Sequence, residues 1–396
     1  MTSYLRQLSA PENLLKAWKK LSKKKTSRGF DEQTIEEFKR DLDSNIRQLS
    51  TELRSGTFEF TPLLGRLAMK PGGRQRPIKI PAVRDRVVCK AIQLLISHKF
   101  DKYNLPCSFG YIPDVSTAYA VQRVKELAAS GNIWVLEADM SKFFDSVDQT
   151  ILMDRFIKQI RIRSLENIIR RALQVEVGNL DCFRPDEREM FPAADSGIPQ
   201  GGVLSPMLAN FYLFPFDKGM FDAGFDLVRY ADDFVIMCPS EQRAQQAYAL
   251  AKKILEDTLH LKLHPLGHDG SKTRITLYSK GFTFLGLHFQ GGRVVPGSKS
   301  IKKFIERVAT ITDSRQGQNL LKTLVSLKST IDGWGHAYHM YDSIETFREL
   351  DIIIRKCLSN FLRAHWVLGR GCILGNHQRR FMGIPSLEAI RERARL

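Results

Sequence analysis

Apolar residues recur at helical spacing near both ends of the chain. Residues 11–24 and 31–56 are predicted to form two helices around a basic loop. Ile35 and Phe38 lie on the apolar face of the second helix, and Gly56 is its expected stop. From about residue 299 the pattern is wholly helical. Helical segments are therefore expected at both ends of the chain.

Four segments between these ends predict β-structure. They are a hairpin at residues 63–83 with the turn PGGR, a buried strand ending in a polar turn at 132–148, two short strands around a turn at 225–238, and a hairpin with a Gly-Gly turn at 281–297. The change of pattern predicts three parts: a basic helical N-terminal extension at 1–56, a mixed α and β region at 57–296, and a helical region with a short tail at 297–396.

The charge of the chain predicts what kind of partner it binds. The chain has 396 residues and a formal net charge of +17. Residues 1–30 contribute +7 and residues 297–396 contribute +8, so the charge is clustered. A clustered positive charge indicates a polyanionic partner, most often nucleic acid, and fits a binding surface better than the alternative, a soluble protein that happens to be basic. The hydrophobic content of 43% can support a sizeable core, and the charged content of 26% argues against a disordered chain.

Cysteine spacing and hydropathy exclude further classes. The six cysteines form no CxxC pair, which disfavours a zinc knuckle or ribbon, and the same spacing predicts no zinc endonuclease. No apolar run is long enough to span a bilayer, and the first residues lack a signal-peptide pattern. We therefore expect no membrane partner and a cytoplasmic location.

The segment LVRYADDFVIMC, residues 227–238, places the adjacent carboxylates Asp232 and Asp233 inside an apolar run. Side chains alternate along a strand and a buried unpaired carboxylate is costly, so one regular strand does not suit both. A hairpin with the aspartates at its tip removes the conflict. A hard divalent cation is then the natural counter-charge, because Mg²⁺ prefers oxygen ligands.

A second acidic position has a similar setting. Asp139 follows the apolar residues 133–136, where a buried strand would emerge. Three carboxylates can hold two Mg²⁺ ions roughly 4 Å apart, which suits an in-line phosphoryl displacement. The alternative is that Asp139 and Asp145 are turn or N-cap residues.

These segments together resemble the prokaryotic reverse transcriptases of the group II intron-like lineage, whose stand-alone members include defence-associated enzymes. The resemblance rests on YADD at 230–233, EADMSKFFDSVD at 137–148 and SGIPQGGVLSPMLANFYL at 196–213. It implies an α+β, right-hand polymerase fold. Fingers and palm, with an antiparallel sheet and helices behind it, would occupy 57–296, and an all-α thumb would follow at 297–396.

The resemblance also implies an RNA-directed DNA polymerase, a nucleotidyltransferase that extends a primer with dNTPs. Asp139, Asp232 and Asp233 would be catalytic and would hold two Mg²⁺ ions together with the backbone carbonyl of Met140. Mn²⁺ is the expected substitute ion. Lys272 aligns with a family lysine near the triphosphate and is a candidate general acid; an exposed solvating lysine is an equal alternative.

Further segments supply the implied nucleotide contacts. Residues 70–92 resemble the fingers motif, which assigns the triphosphate to Arg76 and Lys79, because arginine pairs bidentately with phosphate and lysine acts as a point charge. Arg74 is a neighbouring candidate. In the second motif, the nucleotide-binding positions are Gln200 and Gly201.

Phe144 lies where the family places a bulky aromatic residue against the sugar C2′. Because the 2′-OH distinguishes RNA from DNA, an aromatic ring there would exclude ribonucleotides and predicts a preference for dNTPs. The alternative is that Phe143 and Phe144 are both core residues. Since they are adjacent, at least one is expected to point away from the core if the element is regular.

Other matches concern template and primer. Residues 107–121 resemble the family segment SxGFRPGRS, but Ile112 and Asp114 replace its basic or small residues, which argues against a template grip through arginine. Phe284, Leu285 and Gly286 align with the primer-grip hairpin and are expected to bind primer or template. Residues 329–366 resemble the helical thumb of the group II intron enzymes.

The sequence leaves the biological role open between two alternatives. One is antiphage defence, in which the enzyme copies a companion structured noncoding RNA into DNA. The other is a group II intron-type maturase, an RNA-binding splicing factor with reverse transcriptase activity. Expected partners in both cases are an RNA template, a DNA primer or product and dNTPs, and the oligomeric state stays open.

Overall fold

The computed structural model describes residues 3–23, 27–69, 75–267, 271–314, 319–364 and 374–394. The chain divides into two compact units, Met1–Ile275 and Thr276–Leu396. The predicted PGGR turn and Arg74 lie outside the described residues, as do His365 and Trp366 at the end of the predicted thumb segment.

The first unit combines twelve α-helices with six strands among its described residues. The helices are α1 Tyr4–Leu8, α2 Pro11–Leu21, α3 Ile35–Arg40, α4 Leu42–Ser55, α5 Val83–Ile96, α6 Thr117–Ala129, α7 Phe143–Ser146, α8 Gln149–Arg155, α9 Glu166–Leu173, α10 Pro185–Arg188, α11 Ser205–Asp222 and α12 Glu241–Lys253. The strands are β1 Leu64–Met69, β2 Gln75–Ile80, β3 Trp134–Asp139, β4 Asp226–Tyr230, β5 Asp233–Cys238 and β6 Arg274–Leu277, of which β6 extends into the second unit.

Two sheets organise this unit. Strands β1 and β2 form an antiparallel hairpin, as the sequence predicted. The second sheet has the strand order β4-β5-β3-β6, with β5 antiparallel to both β4 and β3. Helices α6, α11 and α12 pack against this sheet. The mixed α and β class predicted for this region is confirmed.

The N-terminal helices share the core of the sheet rather than forming a separate one. Leu14, Trp18 and Ile46 lie in the same buried apolar cluster as Leu213 and Phe234. The structure thus places the predicted extension at 1–56 inside the first compact unit, because the apolar faces of α2 and α4 have no core of their own to cover.

The helix predicted over residues 31–56 is two helices. Thr34 caps α3, with its hydroxyl accepting from the Glu37 N–H at 3.1 Å and the Glu37 carboxylate accepting from the Thr34 N–H at 2.8 Å. Asp41, with φ −110° and ψ 33°, separates α3 from α4. Gly56 ends α4 in the left-handed region at φ 76°, as predicted.

The second unit contains a small sheet and five helices among its described residues. The strands are β7 Phe282–Phe284, β8 Leu287–Gln290 and β9 Arg293–Pro296; the helices are α13 Ser298–Ile311, α14 Leu320–Tyr338, α15 Ile344–Ala364, α16 Asn376–Phe381 and α17 Leu387–Arg393. Val308, Leu327, Ile331, Leu358 and Leu387 belong to its own apolar core. The predicted change to an all-helical pattern near residue 299 is confirmed.

The boundary between the units differs from the one predicted near residue 296. The segment 281–297 is a three-stranded antiparallel sheet instead of a single hairpin, because a turn at Leu285 and Gly286 adds β7. This sheet belongs to the second unit. The Asp342 N–H donates to the Val294 carbonyl at 2.8 Å, which ties the sheet to the segment before α15.

Candidate active site

The hairpin β4–β5 places Asp232 in a tight turn. Tyr230 and Asp233 are paired across the strands, so Ala231 and Asp232 form a two-residue turn. Ala231 has a positive φ of 61°, a conformation that glycine usually supplies in such turns. Leu227, Val228 and the residues of β5 after Asp233 are buried. The hairpin therefore buries its apolar residues and keeps both aspartates at one end.

Strand β3 brings Asp139 to the same end of the sheet. Asp139 is the cross-strand partner of Asp233 in the antiparallel register of β3 and β5. Burial raises the pKa of Asp232, and the negative charge of Asp139 raises it further. Asp139 itself forms an ion pair with Lys272 and lies 3.8 Å from the Nε2 atom of His264.

The carboxylate oxygens of Asp139, Asp232 and Asp233 are ligands of the kind that a hard cation prefers. A positive charge near Asp232 would also lower its raised pKa. In the described part of the chain, however, the structure gathers no three His, Cys, Asp or Glu side chains into a group able to hold a metal. Lys272 takes up an oxygen of Asp139 in this arrangement. The carbonyl role of Met140, which bridges to Leu263, stays a prediction.

A buried arginine holds the turn of this hairpin from behind. Arg229 is fully buried and pairs with Asp217, its Nε donating at 2.6 Å. Its Nη1 donates to the Ala231 carbonyl at 2.9 Å, and its Nη2 donates to the Ser108 hydroxyl at 2.7 Å. Since Ala231 adjoins Asp232, this cation fixes the backbone that carries the candidate ligand.

The segment after Cys107 forms a further wall of the turn. Phe109 N–H donates to the Arg229 carbonyl at 2.8 Å, so residues 107–109 run along β4. A Cβ added at Gly110 would lie 2.4 Å from the Ala231 nitrogen, which explains the glycine at this position. Tyr111 follows with φ 63°, and its pKa is raised by burial and by Asp232.

The predicted triphosphate residues form a hydrogen-bonded chain with the second motif. Arg76 Nε donates to the Gln200 carbonyl oxygen Oε1 at 2.5 Å, and Gln200 Nε2 donates to Asp145 at 3.1 Å. Lys79 is buried and its Nζ donates to the Pro192 carbonyl at 3.1 Å. Burial lowers the pKa of Lys79, and Asp145 opposes that change. Three of these residues were predicted; Asp145 joins them as a partner.

Backbone contacts fix the glycine loop against β2. The Lys79 N–H donates to the Gln200 carbonyl at 3.1 Å. Gly201 has φ 106°, and a Cβ on it would lie 3.0 Å from the Lys79 carbonyl oxygen. The turn at Gly201 therefore requires glycine for both its conformation and its close approach to the strand.

Both phenylalanines of the first motif are buried. Phe143 is 2% exposed and Phe144 is 8% exposed, so the expectation that one of them would point away from the core is wrong. The reason is that α7 is a single short turn and both rings belong to the same buried apolar cluster. The ring of Phe144 still meets the ring of Tyr111 edge to face, with centroids 6.3 Å apart. Its role against the sugar stays a prediction.

The remaining predicted residues have different settings. Lys272 is exposed and engages Asp139. Phe284 is 1% exposed inside the second unit, so its side chain has no surface to offer a primer. Leu285, with φ 53°, and Gly286, with φ 76°, form the turn between β7 and β8. Contact with primer at this turn stays a prediction for Leu285 and Gly286.

The sequence interpretation missed three residues of this site: Arg229, Tyr111 and Asp217. Arg229 stood in the quoted segment as a charge inside an apolar strand, which is a signal for a buried partner. Nothing local identifies that partner as Asp217, which lies in an apolar stretch of α11. Tyr111 lay in the segment 107–121 but had no distinguishing pattern.

Family comparisons agree with this geometry. Residues 68–289 match the family described as "Reverse transcriptase (RNA-dependent DNA polymerase)". Residues 301–379 match "Group II intron, maturase-specific domain". The two matches follow each other along the chain in the order of the mixed region and the helical region.

Curated relatives are similar over parts of their length. The chain is 28% identical over 279 residues to Protein YkfC of Escherichia coli (strain K12), covering 61% of this chain and 70% of that protein. It is 27% identical over 220 residues to the group II intron-encoded protein LtrA of Lactococcus lactis subsp. cremoris, covering 55% of this chain. The chain spans 35% of LtrA and 20% of the yeast putative COX1/OXI3 intron 1 protein.

Two solved structures were also matched. A chain of the "Partial Cas6-RT-Cas1--Cas2 complex" aligns at TM-score 0.40 with 25% identity, covering 65% of this chain and 42% of that one. Telomerase from Candida albicans aligns at TM-score 0.41 with 12% identity, covering 84% of this chain and 64% of that one.

No helix in the described segments has the length and apolar content needed to cross a membrane. Since the matched reverse transcriptase family spans more than half of the sequence, the chain belongs to the reverse transcriptase family, in its group II intron-like branch, with the α+β polymerase fold of that family.

Proposed function

We propose that this chain extends a primer with dNTPs on an RNA template, using Asp139, Asp232 and Asp233 as its catalytic carboxylates. The observation that carries the proposal is the pairing of Asp139 with Asp233 across β3 and β5, with Asp232 in the adjoining turn. Three carboxylates at one end of a sheet suit phosphoryl transfer, in which catalysis is mainly positioning and charge stabilisation.

The three aspartates would hold two Mg²⁺ ions, with the Met140 carbonyl as a further ligand. Such ions would lower the pKa of the primer 3′-OH and neutralise charge on the departing pyrophosphate. Lys272, whose ammonium group pairs with Asp139, would donate a proton to the leaving pyrophosphate.

The chain between Arg76 and Asp145 supplies the nucleotide pocket. Arg76 and Lys79 would hold the triphosphate in place of their present partners, the Gln200 side chain and the Pro192 carbonyl. Gln200 and Gly201 would then shape the pocket over the templating base. Phe144, braced by Tyr111, would exclude the 2′-OH.

Replacing the turn aspartate tests the proposal. Asp232→Ala is expected to lower dNTP incorporation on a primed RNA template by at least about 100-fold, because loss of a metal ligand removes several kcal/mol of charge stabilisation. The matched control is Asp226→Asn at the other end of β4, where the carboxylate pairs with Arg123 at the surface. Wild-type incorporation by the Asp232→Ala chain would refute the assignment.

For the biological role we propose copying of a structured noncoding RNA in antiphage defence. A second candidate is a group II intron-type maturase, and the match of residues 301–379 to the maturase-specific domain favours it. Both candidates need RNA binding by a basic protein, which the charge of +17 supports.

Sequencing the nucleic acid that co-purifies with the full chain separates the two roles. A short structured RNA with complementary DNA would support copying of a companion RNA. An intron RNA would support the maturase role. Recovery of neither, from a preparation that extends primers in vitro, would refute both roles and leave the polymerase assignment standing.

A further inference from the structure

Residues 176–192, here named the strap, connect the helix α9 to the loop that carries Gln200. The strap lies along the outer edge of β1. Val177 forms a parallel bridge with Leu63, the Leu63 N–H donates to the Glu176 carbonyl at 2.8 Å, and the Gly178 N–H donates to the Leu63 carbonyl at 2.9 Å. The strap thus extends the two-stranded hairpin β1–β2 by a third, irregular line of backbone.

One side chain of the strap, that of Asn179, hydrogen-bonds to both the N–H and the carbonyl group of a β1 residue. Asn179 Oδ1 accepts from the Gly65 N–H at 2.7 Å, and Asn179 Nδ2 donates to the Gly65 carbonyl at 3.1 Å. This satisfies both backbone groups of one residue with one amide, a pairing that fixes position along the strand as well as across it. Gly65 is closely covered, because a Cβ there would lie 2.8 Å from Val177 Cγ1.

Gly65 stands directly opposite Lys79 in the register of β1 and β2. On the far side of β2, the Lys79 N–H donates to the Gln200 carbonyl. Four segments therefore lie side by side in this order: the strap at Asn179, β1 at Gly65, β2 at Lys79 and the loop at Gln200. A shift of Gly65 along its strand would move the proposed triphosphate residues relative to the loop that faces the nucleotide.

The far end of the strap reaches the same strand. Lys79 Nζ donates to the Pro192 carbonyl at 3.1 Å. Near its middle, the Arg184 N–H donates to the Glu187 carboxylate at 3.1 Å, which holds the turn of the strap together. The strap consequently contacts both strands of the hairpin, β1 at Gly65 and β2 at Lys79.

We infer that the strap sets the position of the hairpin β1–β2 for nucleotide binding. Asn179 is the positioning residue, and it acts through Gly65 on Lys79. The inference rests on the proposed polymerase function of the same site. Asn179 itself contacts no reacting group. It determines where Arg76 and Lys79, the proposed triphosphate-binding residues, lie before the nucleotide binds.

Single-nucleotide incorporation by the full chain on a primed RNA template tests this inference. Asn179→Ala is expected to raise the half-saturating dNTP concentration about tenfold, with the maximal rate changed less than about threefold, because two hydrogen bonds that position the hairpin are lost. Asn179→Asp keeps an acceptor for the Gly65 N–H but replaces the donor to the Gly65 carbonyl with a carboxylate oxygen, so it is expected to raise the half-saturating concentration as well. Glu189→Ala, an exposed change in the same strap, is the matched control.

A second readout does not depend on activity. Hydrogen exchange of a peptide covering residues 63–69 is expected to accelerate in Asn179→Ala and to stay at the wild-type rate in Glu189→Ala. If Asn179→Ala does not fold, the Asn179→Asp chain carries both measurements. A half-saturating concentration and exchange rate equal to those of Glu189→Ala would overturn the inference. Absence of incorporation by the wild-type chain would instead overturn the polymerase proposal.

Discussion

At the scale of single residues, the chemistry of the site depends on buried charges whose partners lie far away in sequence. Arg229 is enclosed with Asp217, and both side chains are fully buried. Removing one member of such a pair leaves an uncompensated charge, which is far more damaging than the pair's own contribution. The sequence marks Arg229 as unusual, whereas only the fold identifies Asp217 as its partner.

Asp85 is a buried carboxylate with incomplete partners. It lies in the first turn of α5, is 1% exposed, and accepts from the Thr61 N–H at 2.9 Å through one oxygen. Its other oxygen has no hydrogen-bond partner and lies 3.8 Å from Arg84 Nε. Burial raises the pKa of Asp85 to about 7, although Thr61 and Arg84 oppose the change.

Asp85 predicts a pH-dependent stability. Below its ordinary pKa of 3.8 the group is protonated in both states, so it costs nothing. As pH rises towards 7, only the unfolded chain releases the proton, and stability falls by at most about 4 kcal/mol. Asp85→Asn is therefore expected to raise the melting temperature at pH 8 and to have little effect near pH 4.

Thermal unfolding of the two chains across pH 4–8 measures this difference. Asp154→Asn, at an exposed position of α8, is the control and is expected to show no such dependence. A stabilisation of Asp85→Asn that is the same at pH 4 and pH 8 would contradict the explanation.

At the scale of elements, the local sequence pattern predicted whether a segment is a helix or a strand better than it predicted where that element begins and ends. The strands β4 and β5 and the turn between them follow from apolar runs that flank two aspartates. The predicted helix over 31–56 breaks at Asp41, where no glycine or proline announces a break. Both helices bury apolar residues, Phe38 and Ile46, in the same core, and such tertiary packing is absent from a local pattern.

Helix α14 offers two glycines, two positions apart, with opposite surroundings. A Cβ at Gly333 meets nothing within 4 Å, whereas a Cβ at Gly335 lies 2.7 Å from Ile390 Cδ1. Gly333→Ala is expected to stabilise the chain by about 0.5–1 kcal/mol, because alanine loses less backbone entropy in a helix. Gly335→Ala is expected to destabilise it by about 1 kcal/mol, since overpacking exceeds the helix gain.

Denaturant unfolding of both variants compares these free energies directly. Each glycine serves as the control for the other, because the helix and the substitution are the same. Stabilisation by both variants would show that α17 yields to the added methyl group.

At the scale of the whole molecule, charge and compactness describe different properties. The two compact units each contain their own apolar core. The positive charge is concentrated at residues 1–30 and 297–396, so each unit includes one basic segment. A protein of this kind is expected to bind nucleic acid through phosphates at several points.

The charge predicts a steep dependence of RNA–DNA hybrid binding on salt. If about six phosphates are neutralised, affinity should fall about 10³-fold between 50 and 200 mM salt, because counterions released on binding must be restored. Fluorescence anisotropy of a labelled hybrid over that range measures the slope. An affinity that stays constant across the range would exclude phosphate contacts as the main source of binding.

The sequence by itself determined the element types, the change from mixed to helical structure, and the identity of the acidic and glycine-rich segments. These depend on residues close together in the chain, whose spacing fixes which face of an element is apolar. Tertiary structure decided the pairing of Asp139 with Asp233, the burial of Lys79 and the grip of Asn179 on Gly65. Each joins segments distant in sequence, and only the packing of the folded chain brings such segments into contact.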